Sequence, residues 1–105
     1  MAKEETINII KKHIAFSMPK GVKVILFGSQ ARRDANENSD WDILILVDKA
    51  KLDENDYDTI SYPLFELGWN INVQIHPILY TFKEWVSRKM SPFYKNVTEE
   101  GIELC

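Results

Sequence analysis

Apolar positions along the chain fall into two periods. Ile7, Ile10 and Ile14 recur at helical spacing within residues 3–17, with Lys11 and Lys12 turned away, which predicts an amphipathic helix ended by Pro19 and Gly21. Val22 to Phe27, VKVILF, is largely apolar and rich in β-branched residues and stops at Gly28, the pattern of a buried strand. A short helix over Ser29 to Arg33 and a turn through Asp34 to Ser39 lead to a second strand, Asp42 to Val47, apolar on both faces. Asp48 to Asp53 reads as a charged loop. Ile60, Leu64 and Leu67 line one side of a helix within 54–68, with Pro63 as a kink or true start and Gly68 as its stop.

Ile71, Val73 and Ile75 then alternate with Asn72, Gln74 and His76, as in a half-buried third strand. Phe82 to Met90, with Trp85 inward, predicts a helix ended by Pro92. In the tail, Val97, Ile102 and Leu104 are candidate core contacts, and the last residues a short edge strand. A full helix between strands two and three favours a parallel pair. The expected fold class is therefore α/β (α+β): one domain over residues 1–105, a mixed three- to four-stranded sheet flanked by about four helices.

Composition narrows the class of function. Hydrophobic residues are 45% and charged residues 28%, a globular balance that excludes a disordered chain. Thirteen basic against sixteen acidic side chains leave a net charge of −3, a poor basis for gripping a nucleic acid backbone. No apolar run approaches the roughly 18 residues of a membrane helix. There is no apolar leader, and the one cysteine, Cys105, has no partner in the chain, so the expected setting is cytoplasmic.

The chemistry concentrates in Gly28 to Asp42. Gly28 lets a bulky anion approach the backbone, and Ser29 opens a helix N-terminus; together they outline an anion site. Asp40 and Asp42, at i and i+2 where a strand begins, share one face. Two close carboxylates repel unless a cation lies between them, and Mg²⁺ takes one or two carboxylates plus water and phosphate oxygens. For these halves to meet, strands one and two must be antiparallel neighbours. Arg32 and Arg33 are equally readable as a solvated face or as phosphate contacts. His13, beside Lys11 and Lys12, reads as solvent-facing, and Trp41, Trp69 and Trp85 as core or edge packing. The acidic run Asp53, Glu54, Asp56, Asp58 reads as a solvated helix start. Residues 81–95 hold Lys83, Arg88, Lys89 and Lys95 against Glu84 alone, 4 − 1 = +3, which reads as an exposed basic face or as a hold for an acidic partner or a triphosphate tail.

Gly28-Ser29, ten residues, then Asp40-x-Asp42 resembles the signature of DNA polymerase β-like nucleotidyltransferases. It looks most like the minimal nucleotidyltransferases of that superfamily. Ala31-Arg32 and Ser39-Asp40-Trp41-Asp42-Ile43-Leu44 also fit the wider pattern. The resemblance implies a Mg²⁺-dependent enzyme of EC 2.7.7 type that moves a nucleoside monophosphate from an NTP, ATP most simply, to an acceptor hydroxyl. Gly28 and Ser29 would bind phosphate, with Arg32 and Arg33 as further candidates, and Asp40 and Asp42 would be catalytic and hold the metal. It also implies a small helical partner of the HEPN class, in a toxin–antitoxin-like pair where this chain is the antitoxin; it leaves room for an oligomer and gives no role to nucleic acid or membrane.

Two departures stand out. The family usually has Gly where Arg33 stands. Its third carboxylate, on the third strand, is missing: no Asp or Glu lies between Glu66 and Glu84. Asn72, Gln74 and His76 are the candidates to stand in for it, with His76 the possible base. One Mg²⁺ is expected, a second is not secured, and the alternative is a nucleotide- or partner-binding module with weak or no turnover.

Overall fold

The computed structural model describes residues 2–36 and 38–105; Glu37, part of the expected 34–39 turn, lies outside them. A four-stranded sheet of order β3-β2-β1-β4 organises the chain. Strand β1 (Lys23–Phe27) pairs antiparallel with β2 (Trp41–Val47), and β2 pairs parallel with β3 (Ile75–Thr81). The short β4 (Ile102–Glu103) closes the other edge of β1, antiparallel. The mixed sheet and the tail strand are as the sequence predicts.

Strand β2 is central and buried on both faces, which explains its unbroken apolar run. Its odd positions, Trp41, Ile43, Ile45 and Val47, join Val24 and Leu26 against Ile10 and Ile14 of α1 (Lys3–Ser17) and Ile60 and Leu64 from the 54–71 helical stretch. Its even positions, Leu44 and Leu46, pack with Trp85 of α5 (Phe82–Ser87) and Val97 of α6 (Pro92–Glu100). Helices therefore cover both faces. Among the described residues, no helix is long and apolar enough to cross a membrane.

Several elements differ from expectation. The 54–68 helix runs further, as α3 (Glu54–Asp56), a π-helical turn (Tyr57–Ser61) and α4 (Tyr62–Ile71) without a break. Pro63 lies in the first turn of α4, the start of the regular helix: the Tyr62 N–H reaches back to the Tyr57 carbonyl, and the widened turn before it accommodates a ring that would clash in a regular helix. Ile71 closes α4 and Asn72 caps it with φ +62°, so the third strand starts later than the alternation suggests. Pro92 opens a helix instead of ending one: Ser91 Oγ accepts from the Tyr94 N–H, and a proline at the first turn loses no bond. The short α2 (Ser29–Arg32) is as expected, and α6 brings the helical bodies to five among the described residues.

Two side chains depart as well. His13 is half-buried, its Nε2 is enclosed with no hydrogen-bond partner among the described residues, and burial holds the ring below the usual imidazole pKa. Trp69 is outside the core: it is 65% exposed on α4.

Candidate active site

Strand register assembles the site. The antiparallel β1–β2 ladder sets Phe27 opposite Asp42, and the parallel β2–β3 ladder sets Asp42 opposite His76. Period-two alternation puts Asp42, His76 and Phe27 on the sheet face that α5 and α6 cover further along. Asp40 joins them from the chain just before β2. His76 Nδ1 lies 3.4 Å from Asp40 Oδ2 and 3.8 Å from Asp42 Oδ1. The two carboxylates and the imidazole thus meet at one point of the sheet edge, each partly exposed.

Gly28 has a use that the sequence did not disclose. Its φ of +75° and ψ of −157° fall in a region that is essentially glycine's alone, and a Cβ there would collide with Asp42 Oδ2. The absent side chain makes room for the protein's own carboxylate, not only for an incoming anion. Directly after it, Ser29 opens α2, so the free amides of that first turn follow Gly28 in the chain.

Electrostatics follow from that packing. The Asp42 carboxyl is pushed above its usual range by desolvation first; His76 pulls it down, Asp40 pushes it up and Arg32 pulls it down. Such a group prefers a cation beside it. Among the described residues, no three His, Cys, Asp or Glu side chains already surround a metal position. Asp40 and Asp42 are suited to one ion that takes its remaining ligands from water and phosphate oxygens.

The other sequence candidates scatter. Arg32 donates to Asp34 and Glu100, at 3.1 and 3.3 Å, close enough to the cluster to act on Asp42. Arg33 turns elsewhere: it lines a cavity with Lys3, Thr6 and Trp41, on the α1 side of the sheet. Its φ of +67° is the left-handed cap that closes α2, a conformation that strains a side chain other than glycine's. Asn72 and Gln74 are not on the strand. They line a separate cavity with Trp69, and the Gln74 carbonyl accepts from the Trp41 N–H at 2.8 Å. Of the three candidates for the missing acid, His76 alone contacts the aspartates.

Comparison with known proteins decides the family. The model of the nucleotidyltransferase domain matches residues 7–104. The chain belongs to that family. A Methanocaldococcus jannaschii relative, the candidate protein adenylyltransferase MJ0604, is 39% identical over 83 residues, 78% of this chain and 76% of its own length. Among solved structures, a toxin–antitoxin crystallised with AMP-PNP superposes at a TM-score of 0.67 and 22% identity, over 94% of this chain and 72% of that one. A mutant of the toxin–antitoxin MntA–HpeT, with two aspartates two positions apart changed to glutamate, superposes at 0.60 and 17% identity, over 100% and 73%. This nucleotidyltransferase domain thus has the fold found in those complexes.

Proposed function

We propose that this nucleotidyltransferase moves a nucleoside monophosphate from Mg·ATP onto a hydroxyl of a partner protein. The observation that carries the reading is the meeting of Asp40, Asp42 and His76 beside Gly28-Ser29 within a nucleotidyltransferase domain. Asp40 and Asp42 would hold one Mg²⁺, which supplies charge neutralisation at the phosphates. The α2 amides and the Ser29 hydroxyl bind the phosphate tail. The acceptor oxygen attacks the α-phosphorus, the bond to the bridging oxygen breaks, and pyrophosphate leaves. His76 occupies the position from which the acceptor's proton is taken. A protein acceptor is supported by the relative named for protein adenylylation and by the toxin–antitoxin fold neighbours; a HEPN-type helical protein is the partner we infer.

A second reading is kept because no Asp or Glu lies between Glu66 and Glu84, so the third strand brings His76 and no carboxylate to the aspartates: nucleotide binding with little transfer. One experiment separates the two. With α-labelled ATP, Mg²⁺ and the co-expressed partner, label should pass to the partner, and Asp42→Asn should abolish it. Mg·ATP binding without transfer selects the second reading, and absence of binding rejects both.

A further inference from the structure

Helix α4 is apolar on two sides. Leu64 and Gly68 face the core, while Tyr62, Phe65 and Trp69 form a stripe at i, i+3 and i+7 that stays in the open. The rings touch one another: Tyr62 meets Trp69 edge-on with centroids at 6.0 Å, and Phe65 stacks on it at 6.4 Å. A helix apolar all round is ordinarily a covered helix, and a contiguous exposed apolar patch marks an interaction surface.

Charge selects the occupant. Between Lys51 and Lys83 the chain has no Lys or Arg and five acids; Lys49 pairs with Asp53 and Asp56, which leaves Glu54, Asp58 and Glu66 as the exposed negative charges. The carbonyl end of α4, beside Trp69, adds the negative pole of the helix. Tryptophan and tyrosine faces themselves attract guanidinium and ammonium groups. The same field repels a phosphate backbone. At its C-terminal end the stripe runs into a cavity of about 480 Å³, whose far wall is Asn38 and Ser39, directly before Asp40.

We propose that the α4 stripe docks the partner protein through a segment of Lys or Arg interleaved with aliphatic side chains. This rests on the reading above that the acceptor is a protein. A segment seated on Trp69 reaches the loop that delivers Asp40, which ties docking to the site.

The test is site-specific photo-crosslinking in the native cell, with benzoylphenylalanine in place of Phe65 or Trp69. Phe16 and Met90, each 90% exposed elsewhere, are the controls. Positions 65 and 69 should crosslink one polypeptide of another kind, at a segment of net positive charge, and the controls should not. With that pair purified, Trp69→Ala and Glu66→Lys should each weaken binding about tenfold, the cost of losing one anchor. Raising salt from about 50 to about 500 mM should weaken it too, by screening. A crosslink to a second copy, to nucleic acid or to an acidic segment overturns the proposal, as does no crosslink, or unchanged affinity in both variants. Transfer of label to a partner that ignores the stripe leaves the enzymatic reading standing; docking on the stripe without transfer removes that reading and keeps the surface.

Discussion

At the scale of single residues the site is held by two unusual backbones and one displaced carboxyl. Gly28→Ala would place a methyl group on the Asp42 carboxylate at a φ that alanine avoids. It should cost about 1–3 kcal/mol in denaturant unfolding and abolish nucleotide transfer. Arg33→Gly relieves a left-handed side chain but loosens the unfolded chain; the two effects are each about 1 kcal/mol, so unfolding should move little. Asp42 has its folded-state pKa raised, mainly by desolvation. Its favourable contribution is complete below the unfolded carboxyl value and is lost as pH rises through the folded value. Asp42→Asn should therefore melt at or above the wild-type temperature at pH 7, and the gap should close as pH falls towards 3. A variant that melts lower at pH 7 would contradict this account.

At the scale of elements, α1 carries a cost on its inner side. His13 Nε2 is enclosed with no partner among the described residues, and burial lowers its pKa. The neutral ring is favoured when folded, so stability falls as pH drops from the unfolded value of 6.5 through the folded one. His13→Leu should raise the melting temperature at pH 5.5 by more than at pH 8; an equal change at both would place the ring in solvent. The sequence suggested that placement because Lys11 and Lys12 adjoin it, and helical periodicity alone does not resolve a position at the margin of a buried stripe. Long apolar runs were legible: VKVILF and DILILV became β1 and β2 almost to the residue, since burial on both faces leaves few other states. The 71–75 alternation misled because a left-handed cap at Asn72 interrupts the period, a tertiary closure that no local pattern records. Pro92 was misread although Ser91-Pro92 is a helix start in its own right. In the site, the aspartate pair and Gly28-Ser29 were visible in spacing. His76 was legible as the possible base by its chemistry, but its place beside the aspartates, which Asn72 and Gln74 do not share, depends on the register opposite Asp42.

At the scale of the molecule, the sheet has unequal edges. β4 is two residues long, yet it covers β1 through Leu104 N–H to Val24 O at 2.7 Å and Val24 N–H to Cys105 O at 3.1 Å. Removing residues 101–105 would uncover the backbone groups of a strand with apolar faces. Such an edge pairs with other chains. The truncated protein should lose stability and self-associate in a concentration-dependent way, seen by light scattering; a stable monomer would assign β4 no protective part. The molecule also separates charge: an acidic stretch from Asp53 to Glu66, and a basic one from Lys83 to Lys95, on helices that cover opposite faces of the sheet.

The register that sets Phe27 opposite Asp42 has a consequence in time. Strands β1 and β2 close across residues 28–40 alone, whereas His76 arrives only after the long parallel crossover through 48–74. Shorter closures cost less entropy and form sooner. During folding, Asp40 and Asp42 are therefore fixed on one face beside Gly28 before the imidazole that lies next to them at the end arrives. Their repulsion belongs to the rising side of the barrier, and the relief from His76 to the falling side. Asp40→Asn should accelerate refolding in stopped-flow mixing, while His76→Ala should act chiefly on the unfolding limb. Equal effects of both on refolding would mean that the three side chains assemble in one step.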